Sequence, residues 1–145
     1  MSRILVATDG SAGADRAIDY AARWAKRVGA ELVIANVIAG EGIPESVVEA
    51  FTRAQQAWFK EMLASASAAI LTKARERAKS AGVPAVLLES RAGEVAPTIL
   101  GIAEEQGAEG IVVGKRGAGR IAGLLIGSIS QKLVSLAPLP VTVVP

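Results

Sequence analysis

Two short stretches combine residue types and spacings that could do chemistry. The first is Gly114-Lys115-Arg116-Gly117, nine residues, and then Gly127-Ser128. It begins where the apolar run Ile111-Val112-Val113 stops and ends where an amphipathic stretch, Ile129 to Leu136, begins. Glycines at such junctions let backbone N–H groups approach a ligand closely. The Gly127-Ser128 step predicts a helix N-terminus, where exposed amides collect partial positive charge. From Gly110 to Pro145 the chain carries Lys115, Arg116, Arg120 and Lys132 and no acid, leaving twelve basic and fourteen acidic residues elsewhere. Positive charge concentrated on a glycine-rich segment predicts a phosphate-bearing ligand.

The second stretch is Val6-Ala7-Thr8-Asp9-Gly10-Ser11, at the end of the first apolar run. In doubly wound sheets, ligands bind beyond the carboxyl ends of the strands where the strand order reverses, and the first strand borders that crevice. Asp9 could equally cap the following helix, a common job for Asp or Ser. Ser11 suits the cap at least as well, which frees Asp9 to face the crevice.

Better-known phosphate loops do not fit. A Walker A loop needs four residues between its first glycine and Gly-Lys, and then Ser or Thr; here Gly110 and Gly114-Lys115 are three apart and Arg116 follows. Gly117-Ala-Gly119 with Gly123 is one residue too long for the dinucleotide fingerprint and follows the fourth apolar run, not the first.

Composition removes other classes. The 145 residues include no Cys and no His, which excludes thiol chemistry, disulfides, Ser-His-Asp triads and the usual zinc sites. Absence of Cys fits a cytosolic protein. The N-terminus turns acidic at Asp9 without a long apolar core, unlike a signal peptide, and no run reaches the ~18 apolar residues of a membrane span. A net charge of +2 with one Tyr, two Phe and two Trp is a poor set for stacking bases, so nucleic-acid binding is not expected. The length fits a single domain over 1–145.

Five β-branched runs, Arg3–Thr8, Glu31–Val37, Pro84–Glu89, Gly110–Val113 and Pro140–Val144, read as parallel strands buried on both faces. Helical spacing over Ala14–Val28 and Val95–Gln106, stopped by Gly29 and Gly107, alternates with them. This pattern predicts a doubly wound α/β domain. Between the second and third strands, one uninterrupted helix would run roughly 50 Å, too long for the domain. The expectation is a broken part near Pro44–Gln56 and a packed helix over Ala57–Ser80, with Trp58, Met62, Ala66, Ala69, Ile70 and Ala74 facing the core.

Taken together, these residues resemble the universal stress protein family in its nucleotide-binding class, whose Gly-x2-Gly-x9-Gly-(Ser/Thr) motif is matched by Gly114, Gly117, Gly127 and Ser128. The likeness spans the chain, from Ile4-Leu-Val-Ala-Thr-Asp-Gly-Ser11 through Gly107-Ala108 to Ala137-Pro-Leu-Pro-Val141. The resemblance implies a five-stranded parallel sheet, order 3-2-1-4-5, that binds ATP. Ala7, Thr8 and Asp9 would line the adenosine side, with Asp9 near the ribose or the metal, and Val37 would contact adenine. Gly114, Lys115, Arg116, Gly117, Gly127, Ser128, Ile129 and Ser130 would hold ribose and phosphates, with Mg²⁺ or Mn²⁺ on the phosphate oxygens. Asn36 stands where many members have His, and Lys115-Arg116 is more basic than the Ser-Arg often found there. The expected function is that of a cytoplasmic, nucleotide-dependent regulatory protein with an unknown protein partner; the alternative is a slow ATPase or nucleotidyl transferase. In that strand order Val141–Val144 lies at a sheet edge without charge, bulge or interior proline, which predicts pairing with a second copy in a homodimer.

Overall fold

The computed structural model describes residues 2–39, 44–115 and 126–145. Its elements are β1 (Arg3–Ala7), α1 (Ala12–Val28), β2 (Glu31–Ile38), α2 (Glu45–Glu49), α3 (Arg53–Ser80), β3 (Val86–Ala92), α4 (Val95–Gln106), β4 (Ala108–Gly114), α5 (Ser128–Leu136) and β5 (Val141–Val144). The five strands form one parallel sheet in the order β3-β2-β1-β4-β5. Alternation along each strand divides the core in two. Ile4, Val6, Leu32, Ile34 and Val112 pack under α1 and α3. Leu5, Val33, Ala35, Ile111 and Val113 pack under α4 and α5. Each large aliphatic side chain buried in this way contributes about 1.5–3 kcal/mol relative to exposure.

Local signals fix the ends of α1. Ser11 Oγ accepts the Ala14 amide at 3.2 Å, and Gly29 closes the helix with a left-handed φ of 73°. Two further glycines let α1 lie close against β4. A Cβ on Gly110 would stand 2.9 Å from the Trp24 ring, and one on Gly114 would stand 2.9 Å from the Gly13 carbonyl oxygen. Arg77 of α3 grips Asp19 of α1 with two hydrogen bonds, 2.7 and 2.8 Å, and these bonds hold the Asp19 carboxyl below its ordinary pKa.

The segment after β2 breaks within the expected stretch, 44–56, but its long helix starts earlier than Ala57 and buries a different stripe. The helix is broken at Ala50–Thr52, and α3 restarts at Arg53 through a capping box formed by Thr52 and Gln55. The face turned to the sheet is Ser67, Leu71, Ala74 and Ala78. Of the expected core stripe only Ala74 is buried; Ile70 is intermediate, and Trp58, Met62, Ala66 and Ala69 are exposed. The error lay in the angle, because the true stripe runs one residue, about 100°, from the apolar one. The third strand also runs further than its apolar run. Backbone pairing with β2 carries it past the expected end at Glu89, through Ser90 and Arg91 to Ala92.

Candidate functional site

The strand order reverses between β1 and β4, neighbours in a parallel sheet, so their carboxyl ends open the crevice where such folds bind ligands. β1 pairs with β4 through Leu5–Ile111 and Val6–Val112. Thr8 and Gly114 each follow the last paired residue of their strand by two positions, so both lie at the same edge of the sheet. The two stretches singled out by residue type therefore meet at one end of the sheet.

On the β1 side the turn is built from side chain to backbone. Asp9 Oδ1 accepts the Ser11 amide at 2.9 Å, and Thr8 Oγ1 accepts the Gly10 amide at 3.1 Å. Gly10 has φ of +81°, a left-handed conformation that favours glycine, and a Cβ there would press on Ile70 at 3.2 Å. Ser11 is the helix cap, and Asp9 is exposed, one turn short of the helix. Beneath this turn, buried Asn36 donates from Nδ2 to the Thr8 carbonyl at 2.8 Å. Sequence reasoning noted Asn36 only as a departure; its amide holds the end of β1, a role visible only once β2 is known to lie beside it. Asn36→Ala should cost about 1–3 kcal/mol in chemical unfolding, since it leaves a buried carbonyl without its donor. Asn36→Asp, which presents no amide donor when ionised, should cost at least as much.

On the β4 side main-chain hydrogen bonds tie Lys115 to Gly127 and to the end of β5. The Lys115 amide donates to the Val144 carbonyl, and the Gly127 amide donates to the Lys115 carbonyl, both at 2.7 Å. Ser130 Oγ donates to the Gly114 carbonyl at 2.7 Å and fixes the start of α5 against the end of β4. Gly127 is the N-cap residue of α5 and supplies no side-chain bond to the first turn. The amides of Ser128, Ile129 and Ser130 thus belong to the orphan donors of a helix start, and Ser128 is exposed. Gly127 has φ of −71° and ψ of 160°, values open to any residue, so the backbone conformation does not require glycine there.

Of the expected site residues, Ala7, Thr8 and Asp9 lie on the β1 edge of the crevice, and Gly114, Lys115, Gly127, Ser128, Ile129 and Ser130 lie on the β4–α5 edge. Val37 sits near the end of β2, on the α4 face. Arg116 and Gly117 fall outside the described residues. Gly114 and Ser130 carry structural duties, one in the α1 contact and the other in fastening α5. Among the described residues no group of three or more His, Cys, Asp or Glu could hold a metal ion, and no helix is long and apolar enough to cross a membrane.

The parallel sheet, the reversal of its strand order between β1 and β4 and the helices on both its faces define a doubly wound α/β domain. The chain belongs to the universal stress protein family, whose model matches residues 1–145. It is 33% identical over 146 residues to universal stress protein YxiE of Bacillus subtilis (strain 168), covering 99% of this chain and 98% of that one. Among solved structures it is similar to universal stress protein UspA from Lactobacillus plantarum, with a TM-score of 0.83, 25% identity and 99% and 97% of the two chains covered. It is similar also to a universal stress protein solved in complex with cAMP, with a TM-score of 0.73, 27% identity and coverage of 99% and 95%.

Proposed function

We propose that the protein binds an adenine nucleotide, ATP with Mg²⁺ or Mn²⁺, and acts as a nucleotide-dependent regulatory protein of the stress response. The observation that carries this reading is the start of α5. Its first-turn amides follow a glycine cap that brings no side chain of its own, and they are tied through Lys115 to the same end of the sheet as Asp9. Such a helix start favours an anion. The cAMP complex of a relative supports the choice of an adenine nucleotide.

In this reading Ala7, Thr8 and Val37 flank the adenosine. The amides of Ser128 to Ser130 and the cations of Lys115 and Arg116 face the phosphates, with Gly114, Gly117 and Gly127 as the motif glycines. The donor set fits the metal in one way only. Asp9 is a single carboxylate, so a divalent cation would take most of its ligands from phosphate oxygens and water, as Mg²⁺ commonly does. Asp9 also holds the turn through the Ser11 amide, which suits a positioning role better than that of a base. We read the chain as one domain that works in the cytoplasm, where a cysteine-free composition is at home. Its β5 edge, hydrogen-bonded to β4 on one side, is the surface for a homodimer. A regulatory partner would then read the nucleotide state.

A thermal-shift titration tests the binding. ATP with Mg²⁺ at one hundred times its dissociation constant should add about 2.7 kcal/mol, roughly 5–10 °C for a domain of this size. Asp9→Ala should reduce that shift and its metal dependence by more than it lowers the melting temperature of the free protein. No shift with ATP, or an equal one with GTP, would sink the assignment.

A further inference from the structure

The turn that carries Asp9 rests on a side chain from a distant helix. Gly10 is exposed and left-handed, with φ of +81°, a conformation that glycine enters at no steric cost and leaves as readily. The Gly10 amide donates to Thr8 Oγ1 and the Ser11 amide to Asp9 Oδ1, both within the turn itself. Local bonds of this kind compete with water and gain little net free energy. A fixed turn therefore calls for support from outside it.

Ile70 of α3, sixty positions further along the chain, supplies that support. Among the described residues, the three atoms nearest to the point a Gly10 Cβ would occupy all belong to its side chain: Cγ1 at 3.2 Å, Cδ1 at 3.5 Å and Cγ2 at 3.8 Å. Ile70 is half-buried and flanks the buried stripe of Ser67, Leu71, Ala74 and Ala78. One turn earlier on the helix, the Ser67 hydroxyl meets that of Ser90 at 2.7 Å. Ser90 pairs in register with Asn36, whose amide holds the Thr8 carbonyl. This polar contact fastens α3 to the sheet at the level of the turn, so Ile70 stands against Gly10 on an anchored helix. The side chain is also a stiff one, because a β-branched residue in a helix keeps one strongly preferred rotamer.

We infer that Ile70 is a positioning residue of the candidate site: it confines Gly10 and thereby fixes where the Asp9 carboxylate stands. This inference rests on the nucleotide reading above. Ile70 acts through the turn and makes no contact with the ligand in that reading. Without it, the nucleotide must order the turn as it binds, and affinity should fall by about 5- to 30-fold, the cost of fixing one backbone residue.

Four variants of the full chain test it. Ile70→Ala removes the wall, Ile70→Met keeps its volume without the branch, and Ile70→Val keeps the branch. Leu71→Val thins the core one position away. In the free proteins, the backbone amide order parameter at Gly10 should stay near the rigid value of ~0.85 in the wild type, Ile70→Val and Leu71→Val, and fall toward ~0.6 in Ile70→Ala. Calorimetric titration with ATP and Mg²⁺, at a temperature where the variants are folded, should show the 5- to 30-fold loss in Ile70→Ala, of about the size given by one released residue. Ile70→Val should bind like the wild type, and so should Leu71→Val despite a lower melting temperature. Ile70→Met, a volume-conserving change that the fold should tolerate, should move both readings in the direction of Ile70→Ala. Unchanged affinity in Ile70→Ala and Ile70→Met would overturn the inference and leave the nucleotide reading standing. An equal loss in Leu71→Val would overturn it too, because general loosening would then explain the effect. A wild-type protein that binds no ATP would overturn the nucleotide reading and this inference with it.

Discussion

Gly114→Val should destabilise the protein by about 3 kcal/mol or more, the upper end of the cost of overpacking a well-filled site. A Cβ at this position would stand 2.9 Å from the Gly13 carbonyl oxygen and 3.0 Å from its carbon, and both atoms belong to backbone. Backbone cannot swing aside as the end of a long side chain can. Relief therefore requires α1 to move off β4, and α1 is pinned by Ser11 at its start and by Asp19 against Arg77 further along. Urea unfolding should show a lower midpoint with an unchanged slope. A midpoint within a few tenths of a molar of the wild type would mean that α1 and β4 are not in the contact described.

Gly127→Val should do the reverse. The backbone at Gly127 is extended and open to any residue, so the fold should lose little, within about 1 kcal/mol. The branch would nevertheless stand at the mouth of the α5 helix start, beside the amides proposed to face phosphate. The stabilisation by ATP and Mg²⁺, about 2.7 kcal/mol at a hundredfold excess over the dissociation constant, should disappear. Retention of the full shift would place the phosphates elsewhere. The two glycines belong to one sequence motif, yet one is needed for packing, whereas the backbone gives the other no structural reason and the proposed phosphate site supplies one. Measuring stability and binding on both variants separates those duties.

Much of this was legible in the sequence because the signals were local. α4 coincides with its expected span, Val95–Gln106, since a Gly stop and a steady apolar repeat mark it. The strand order was implied by resemblance and agrees with the sheet. The cap of α1 fell to Ser11, as its position suggested. What could not be read was which helix face meets the sheet when a helix carries two stripes. In α3 the residues turned inward are Ser67, Leu71, Ala74 and Ala78, small and partly polar, whereas the larger apolar side chains point away. Ser67 is buried because its hydroxyl meets that of Ser90 at 2.7 Å, a pairing 23 positions apart that no local pattern announces. The packing duty of Gly114 was likewise hidden, because a glycine that admits a ligand and a glycine that admits a helix look alike in one dimension.

The clasp at Lys115 has a practical corollary for protein engineering. Residues 116–125 depart from and return to points joined by main-chain hydrogen bonds, one to the end of β5 and one between Lys115 and Gly127. The span they must close is therefore dictated by strand register and helix placement rather than by their own sequence. Lengthening a closed connection is inexpensive, about 0.6 kcal/mol for each doubling. An insertion between Lys115 and Gly127 should therefore leave the fold standing while breaking the motif spacing on which the proposed nucleotide site depends, so a chain lengthened there separates what folding needs from what binding needs.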